Sequence, residues 1–258
     1  MPTRSAPLAS GALTSGIIKG NFSGDTSINS SSQVVGSGYI QAGHITSLTI
    51  DGSVTAGVNT GGAIANSGAI RANGVITALT IDGAVTGTKA NPVIISATTG
   101  AAKGSKSTTD IAIQNITITH AAAWLDVLAG YGPTVSNTTG VGLGTPADGS
   151  AQIGTITFGS TLSASNIVAG VEPDATTGNF GTATNTSIPL KVGDLHSSIA
   201  SIIVTGMATG DSTPTDSFGI EAENLGSVKV DGATLPTNLA PGAPESVNGT
   251  NLYLLQVS

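Results

Sequence analysis

The stretch "HITSLTIDGSVTAG" at residues 44–57 returns almost unchanged as "VITALTIDGAVTG" at residues 75–87. Its core is an apolar residue, two spacers, an apolar residue, one further spacer, an apolar residue, then often Asp-Gly. The same spacing recurs in "IQNITITH" from Ile113, "IGTITFGS" from Ile153, "IASIIVTG" from Ile199 and "LGSVKVDG" from Leu225. In register, the first column reads Ile45, Ile76, Ile113, Ile153, Ile199 and Leu225. The second reads Leu48, Leu79, Ile116, Ile156, Ile202 and Val228, and the third Ile50, Ile81, Ile118, Phe158, Val204 and Val230. The last two columns alternate with polar positions, as a strand with one buried face requires. The copies stand 31, 37, 40, 46 and 26 residues apart, so a constant strand is joined by variable loops.

A second, weaker repeat accompanies the first: "YIQAG" at 39–43, "AIRANG" at 69–74 and "GIEAEN" at 219–224. "DVLAGYG" at 126–132 matches "NIVAGVE" at 166–172 with the shift of 40 that also relates Ile113 to Ile153. Whole coils, rather than single strands, are repeated. Repeats of this length without helical periodicity predict a solenoid, and the expected fold is an all-β, right-handed parallel β-helix (β-solenoid) with irregular loops. Stacked coils would set the apolar columns into ladders of Ile, Leu and Val. Gly52, Gly83, Gly206 and Gly232 are read as turn residues that tolerate positive φ. The competing reading takes Asp-Gly as a hairpin turn and gives an antiparallel sandwich or meander. Residues 1–35 are expected to form an N-terminal cap or a loosely ordered segment, and residues 36–258 the solenoid, with "NLYLLQVS" at 251–258 as its capping strand. The segment 171–187 is read as an added loop whose removal the fold tolerates.

Composition agrees with strands joined by uncharged turns. Charged residues make up 9% of the 258 residues against an ordinary ~25%. Aromatics are 3%, and 36 residues are Gly. The hydrophobic fraction of 39% and the mean hydropathy of +0.26 argue against disorder. The net charge of −7 is spread thinly with no basic cluster, which excludes nucleic acid as a partner. No run of 18 apolar residues suits a membrane span, and residues 1–20 lack the pattern of a signal peptide. With no Cys, the chain gives no redox clue to compartment.

"AQIGTITFG" at 151–159, "SNIVAGVEPD" at 165–174, "SIASIIVTG" at 198–206 and "FGIEAENLGSVKVDG" at 218–232 together resemble the C-terminal region of very large β-strand-repeat proteins that some bacteria export to their surface. The resemblance covers roughly residues 39–258. It implies an extracellular or cell-surface location, a signal outside this chain, and Met1 as the start of a fragment. It carries no catalytic residues.

Catalytic constellations are not evident. A lyase of acidic polysaccharides needs clustered carboxylates with Lys or Arg, yet Arg4 and Arg71 stand in no acidic constellation. Asp51, Asp82 and Asp231 follow strands as turn formers. His44, His120 and His196 fall at unrelated points of the repeat. No cofactor is expected; Asp211 with Asp216, or Glu172 with Asp174, are candidates for a surface calcium but match no calcium-loop pattern. The outward positions Ser47/Thr49, Ala78/Thr80, Asn115/Thr117, Thr155/Thr157, Ser201/Ile203 and Ser227/Lys229 form a hydroxylic strip. It reads either as soluble strand surface or as an ice-binding Thr ladder, a pattern lost at Ile203 and Lys229. Trp124, the only Trp, and Tyr131 form either a sugar-stacking pair or a cap over the core.

The expected function is that of a structural or adhesive segment of a larger exported cell-surface protein, without enzymatic activity. Its expected partners are other copies of itself, neighbouring domains or a polysaccharide. The alternative is a carbohydrate-active enzyme or lectin with its site in the loops at 132–150 and 170–187.

Overall fold

The computed structural model describes residues 11–25, 28–29, 34–62, 64–98, 109–133, 142–190, 194–213 and 215–258. These residues are all-β, without a helix, and most strands pair in parallel within three long sheets. The arrangement is compatible with a β-solenoid.

The first sheet is built from the repeated core. Ile76 pairs with Ile45 and Ile113, and the column continues through Ile153 and Ile199 to Leu225. The second column runs Leu48, Leu79, Ile116, Ile156, Ile202, Val228, and the third runs Ile50, Ile81, Ile118, Phe158, Val204, Val230. Every one of these side chains is buried. The third sheet takes the short strands that follow: Phe22–Ser23, Val54–Thr55, Val85–Thr86, Ala122–Ala123, Leu162–Ser163 and Ala208–Thr209. The second sheet takes the weaker repeat: Tyr39–Ala42, Ala69–Ala72, Val93–Ala97, Leu125–Ala129, Asn166–Ala169, Phe218–Ala222 and Leu252–Gln256. Its inward column is Ile40, Ile70, Ile95, Val127, Ile167, Ile220, Leu254. The inward faces of the three sheets enclose one aliphatic core.

The parallel ladders begin earlier than residue 36. Ala12–Leu13 pairs with His44–Ile45, Gly16–Ile18 with Leu48–Ile50, and Phe22–Ser23 with Val54–Thr55. This is a further copy of the repeat, "ALTSGII", hidden in the sequence because Gly16 stands where the other copies carry Leu, Ile or Val. Of the segment expected as a cap, residues 1–10, 26–27 and 30–33 lie outside the described residues.

At the other end, Leu252–Gln256 is the last parallel strand of the second sheet, and closure falls to antiparallel strands. Glu245–Ser246 lies along Leu252–Gln256, and Ala233–Leu235 folds back on Val228–Val230. The latter is the one place where Asp-Gly makes a hairpin: Asp231 and Gly232 both have positive φ, 49° and 76°, as a tight primed turn requires. At Asp51–Gly52 and Asp82–Gly83 the chain instead runs on into the third sheet. Gly52, Gly83 and Gly206 do not have positive φ, which corrects their reading as left-handed turn residues. What demands glycine at 83 is the coil above: a Cβ there would lie 2.5 Å from the Ser53 nitrogen.

Candidate ligand groove on the loop-covered face

The outer face of the second sheet is not a solvated surface. A second apolar cluster, including Ile94, Leu128, Val168 and Leu255 from the sheet with Tyr131, Val171, Phe180 and Ile188 from the covering segments, is buried there. Its cover is folded by short antiparallel pairs, Tyr131–Gly132 with Thr145–Pro146 and Val171–Glu172 with Thr186–Ser187. The added loops thus contribute core, contrary to the expectation that 171–187 is dispensable: Phe180 is 1% exposed.

Two buried ionisable side chains anchor this cover. Arg71 has no exposed surface; its Nε donates to Asn66 Oδ1 at 2.8 Å and its Nη1 to Ser96 Oγ at 2.9 Å and the Leu143 carbonyl at 3.0 Å. Its Nη2 donates to the Gly142 carbonyl. Burial lowers Arg71 to about 10, opposed by the nearby Tyr39 and Asp126, so it stays charged at neutral pH. Glu221 is equally buried, and its Oε1 accepts the Gly181 N–H. Its Oε2 has no hydrogen-bond partner. Burial pushes Glu221 up to about 8, against the pull of that N–H, which makes it a neutral acid at pH 7.

Between the anchored segments lies a groove of ≈ 720 Å³, lined by Trp124, Asp126, Ala164, Asn166 and Phe218 from the coils and by Leu143, Pro146 and residues 172–180 from the cover. Asp126 and Asn166 are register partners, and the Asn166 amide donates to Asp126 Oδ1 at 2.7 Å while its Oδ1 accepts the Gly219 N–H at 2.9 Å. Burial pushes Asp126 up to about 6, opposed by the Asn166 hydrogen bond and the Arg71 charge. Lys89 and Asp216 pair at the groove margin, at 2.6 Å.

The two aromatic candidates separate. Trp124 is half-buried, packs against the aliphatic core as a cap would, lines the groove and meets Phe218 edge to face, with centroids 5.5 Å apart and planes at 75°. Tyr131 is 1% exposed and donates its hydroxyl to the Val171 carbonyl at 2.6 Å. It belongs to the cover's core, which corrects its place in a stacking pair.

The remaining candidates are structural. Asp174 Oδ1 accepts from the Thr176 and Thr177 N–H groups and the Thr177 hydroxyl, and Oδ2 from the Thr184 hydroxyl. These bonds hold it down to about 2 and fix the turn. Asp211 Oδ1 accepts from Asn251 Nδ2 and the Thr213 N–H. His44 Nδ1 accepts the Val75 N–H, His196 lies 3.1 Å from Glu223, and His120 is exposed. Among the described residues no group of three or more His, Asp or Glu is placed to hold a metal ion. The hydroxylic strip is in register as Thr49, Thr80, Thr117 and Thr157, flanked by Ile17 on one side and by Ile203 and Lys229 on the other.

Glu221 gives this face a pH signature. Its carboxyl holds a proton to about 8 when folded, against 4.5 as its ordinary value. Between those values the folded chain binds more protons than the unfolded chain, so stability falls as pH rises, by up to about 1.4 kcal/mol per unit. Glu221→Gln keeps an acceptor for Gly181 and removes the ionisation. The melting temperature of the wild type should fall between pH 6 and 8 and that of Glu221→Gln should stay nearly level; parallel profiles would show that this carboxyl does not titrate there.

Comparison with known protein families, with curated proteins and with solved structures finds no significant match.

Proposed function

We propose that the chain is a structural and adhesive segment of a larger exported cell-surface protein, folded as a right-handed parallel β-helix and without enzymatic activity. The observation that carries the reading is the in-register return of the same strands to the same three sheets, coil after coil. Such a ladder extends by adding coils, because each coil contacts its neighbours and needs no larger core. The resemblance to exported β-strand-repeat proteins and the low charge support a cell-surface location. Partners on this reading are neighbouring domains, other copies of the chain, or a surface polysaccharide, with no nucleic acid and no cofactor. No helix among the described residues is long and apolar enough to cross a membrane.

The groove favours a second reading, a lectin or carbohydrate-active enzyme, because it lies between the loop regions 132–150 and 170–187; residues 134–141 lie outside the described residues. The state of its carboxylates weighs for binding over catalysis. Of its four carboxylates, Asp174 is held by its own turn, Asp216 by Lys89 and Asp126 by Asn166, which leaves Glu172 without an untied second carboxylate. A paired-carboxylate hydrolase needs an acid and a base free to reach one glycosidic bond. Incubation with a panel of plant, fungal and bacterial polysaccharides should release no reducing ends. Rapid turnover of any one of them would overturn the non-catalytic reading.

A further inference from the structure

We infer that the groove binds a glycan free of carboxylate and sulfate groups, with one sugar ring stacked on the Trp124 indole; this deepens the adhesive reading and rests on it.

The argument begins with the backbone of Trp124, whose φ is +54°. A left-handed conformation is a strained outlier for a bulky side chain. The position is the corner after each strand of the third sheet, where the N–H donates to the next coil: Gly87 to Ala123, Trp124 to Ser163, Ala164 to Thr209. Neighbouring coils fill it with Gly87, Ala164 and Gly210. Of these four corner residues only Trp124 and Ala164, at φ +45°, are left-handed. A tryptophan in a column of small residues packs in part on the aliphatic core and keeps a half-buried indole that lines the groove, braced edge to face by Phe218 across the Ala164 coil.

The surroundings select the ligand class. An indole face offers a flat apolar platform, and sugar rings present matching C–H faces with hydroxyls at the rim. The lining also carries the Asp126–Asn166 pair, Thr176 and Thr177. This gives donors and acceptors suited to hydroxyls. The volume of ≈ 720 Å³ falls within the range of small-ligand sites. Among the described residues, the lining carries the carboxylates of Asp126, Glu172, Asp174 and Asp216 against the single ammonium of Lys89, which Asp216 already pairs. An acidic glycan would meet like charge, and the described lining offers no unpaired cation to receive it. Neutral and amino sugars escape that repulsion. Arg71 and Glu221 hold the walls in place before any ligand arrives, which limits the ordering cost of binding.

The test uses the full chain at pH 7 and its own reporter, since Trp124 is the only tryptophan. Hexasaccharides of cellulose, xylan, mannan, chitin and chitosan are titrated, with oligogalacturonate and a heparin hexasaccharide as the acidic arm. Calorimetry and Trp124 emission are read together. At least one non-acidic glycan should bind and shift the emission, and the acidic pair should not bind. Trp124→Gly, matched to Gly87 and Gly210, should melt cooperatively and lose about tenfold or more in affinity, while Trp124→Phe keeps most of it. Silence from every non-acidic glycan, equal binding of the acidic pair, binding without a change in Trp124 emission, or unchanged affinity in Trp124→Gly would each overturn the site. Should Trp124→Gly fail to fold, the wild-type emission still decides. Loss of the site would leave the β-helix segment reading standing, whereas release of reducing ends would end the non-catalytic reading and leave the binding site intact.

Discussion

Leu79→Asp should abolish cooperative folding, while Thr80→Asp, one residue away, should melt within a few degrees of the wild type. Leu79 is 1% exposed and stacks between Leu48 and Ile116 in the second column. Thr80 points outward between Thr49 and Thr117 and is half-buried. Removing the leucine forfeits the ~1.5–3 kcal/mol of its burial. Among the described residues no buried cation belongs to this column, so the new carboxylate is either desolvated or forced to take up a proton, a penalty of several kcal/mol more. Together these approach the whole of a typical folding free energy of about 5–15 kcal/mol. The Thr80 site adds a charge to an already hydroxylic strip, where surface changes are usually within about 0.5 kcal/mol. Thermal melts followed by far-UV circular dichroism decide it. Equal shifts for the two variants would mean that the inward and outward faces of the repeated strand are assigned the wrong way round.

That facing was legible in the sequence because a period of two, copied at fixed spacing, has one structural meaning when every copy stacks on the next. Ile45 through Leu225 form one column of the sequence repeat, and the ladder pairs them in that order. The copy at 12–18 escaped notice where Gly16 removed its second apolar marker. Strand Val93–Ala97 escaped because Ile94 and Ser96 face the loop cover, so its apolar residues do not alternate with exposed ones. The site was half legible. A lone Trp drew attention to position 124, but its left-handed φ and its brace on Phe218 depend on coils two turns apart. Arg71 and Glu221 share one column of the weaker repeat, which otherwise reads Gln41, Ser96, Leu128, Val168 and Leu255. The aliphatic members on either side of Glu221 mark it as a buried ionisable group with a partner, here the loop backbone at 181, whereas Arg71 stands between polar neighbours and its burial under 142–143 left no such mark.

The buried Glu221 and the apolar cover around it reverse the expectation for residues 171–187. Replacing that segment with a short Gly-Ser link should lower the melting temperature severely and expose apolar surface to a dye such as ANS. The segment supplies Val171 and Phe180, both at most 1% exposed, which cover Leu128, Val168 and Leu255 on the outer face of the second sheet. Truncating one such aromatic side chain, as in Phe180→Ala, costs about 3–5 kcal/mol. The deletion also takes the Val171 carbonyl from the Tyr131 hydroxyl and the Gly181 N–H from Glu221, leaving buried polar groups without partners. Shortening a loop recovers only ~0.6 kcal/mol per halving of its length, too little to offset these losses. The tip is another matter: residues 175–178 are exposed, so Ala175→Gly should leave the melt nearly unchanged. Because the first sheet and its aliphatic core lie elsewhere, the deletion variant should keep part of its β-sheet dichroism while its melt broadens and moves down. A sharp melt at the wild-type temperature would mean that the second apolar cluster contributes nothing to stability, and that the loops ride on the coils without closing over them.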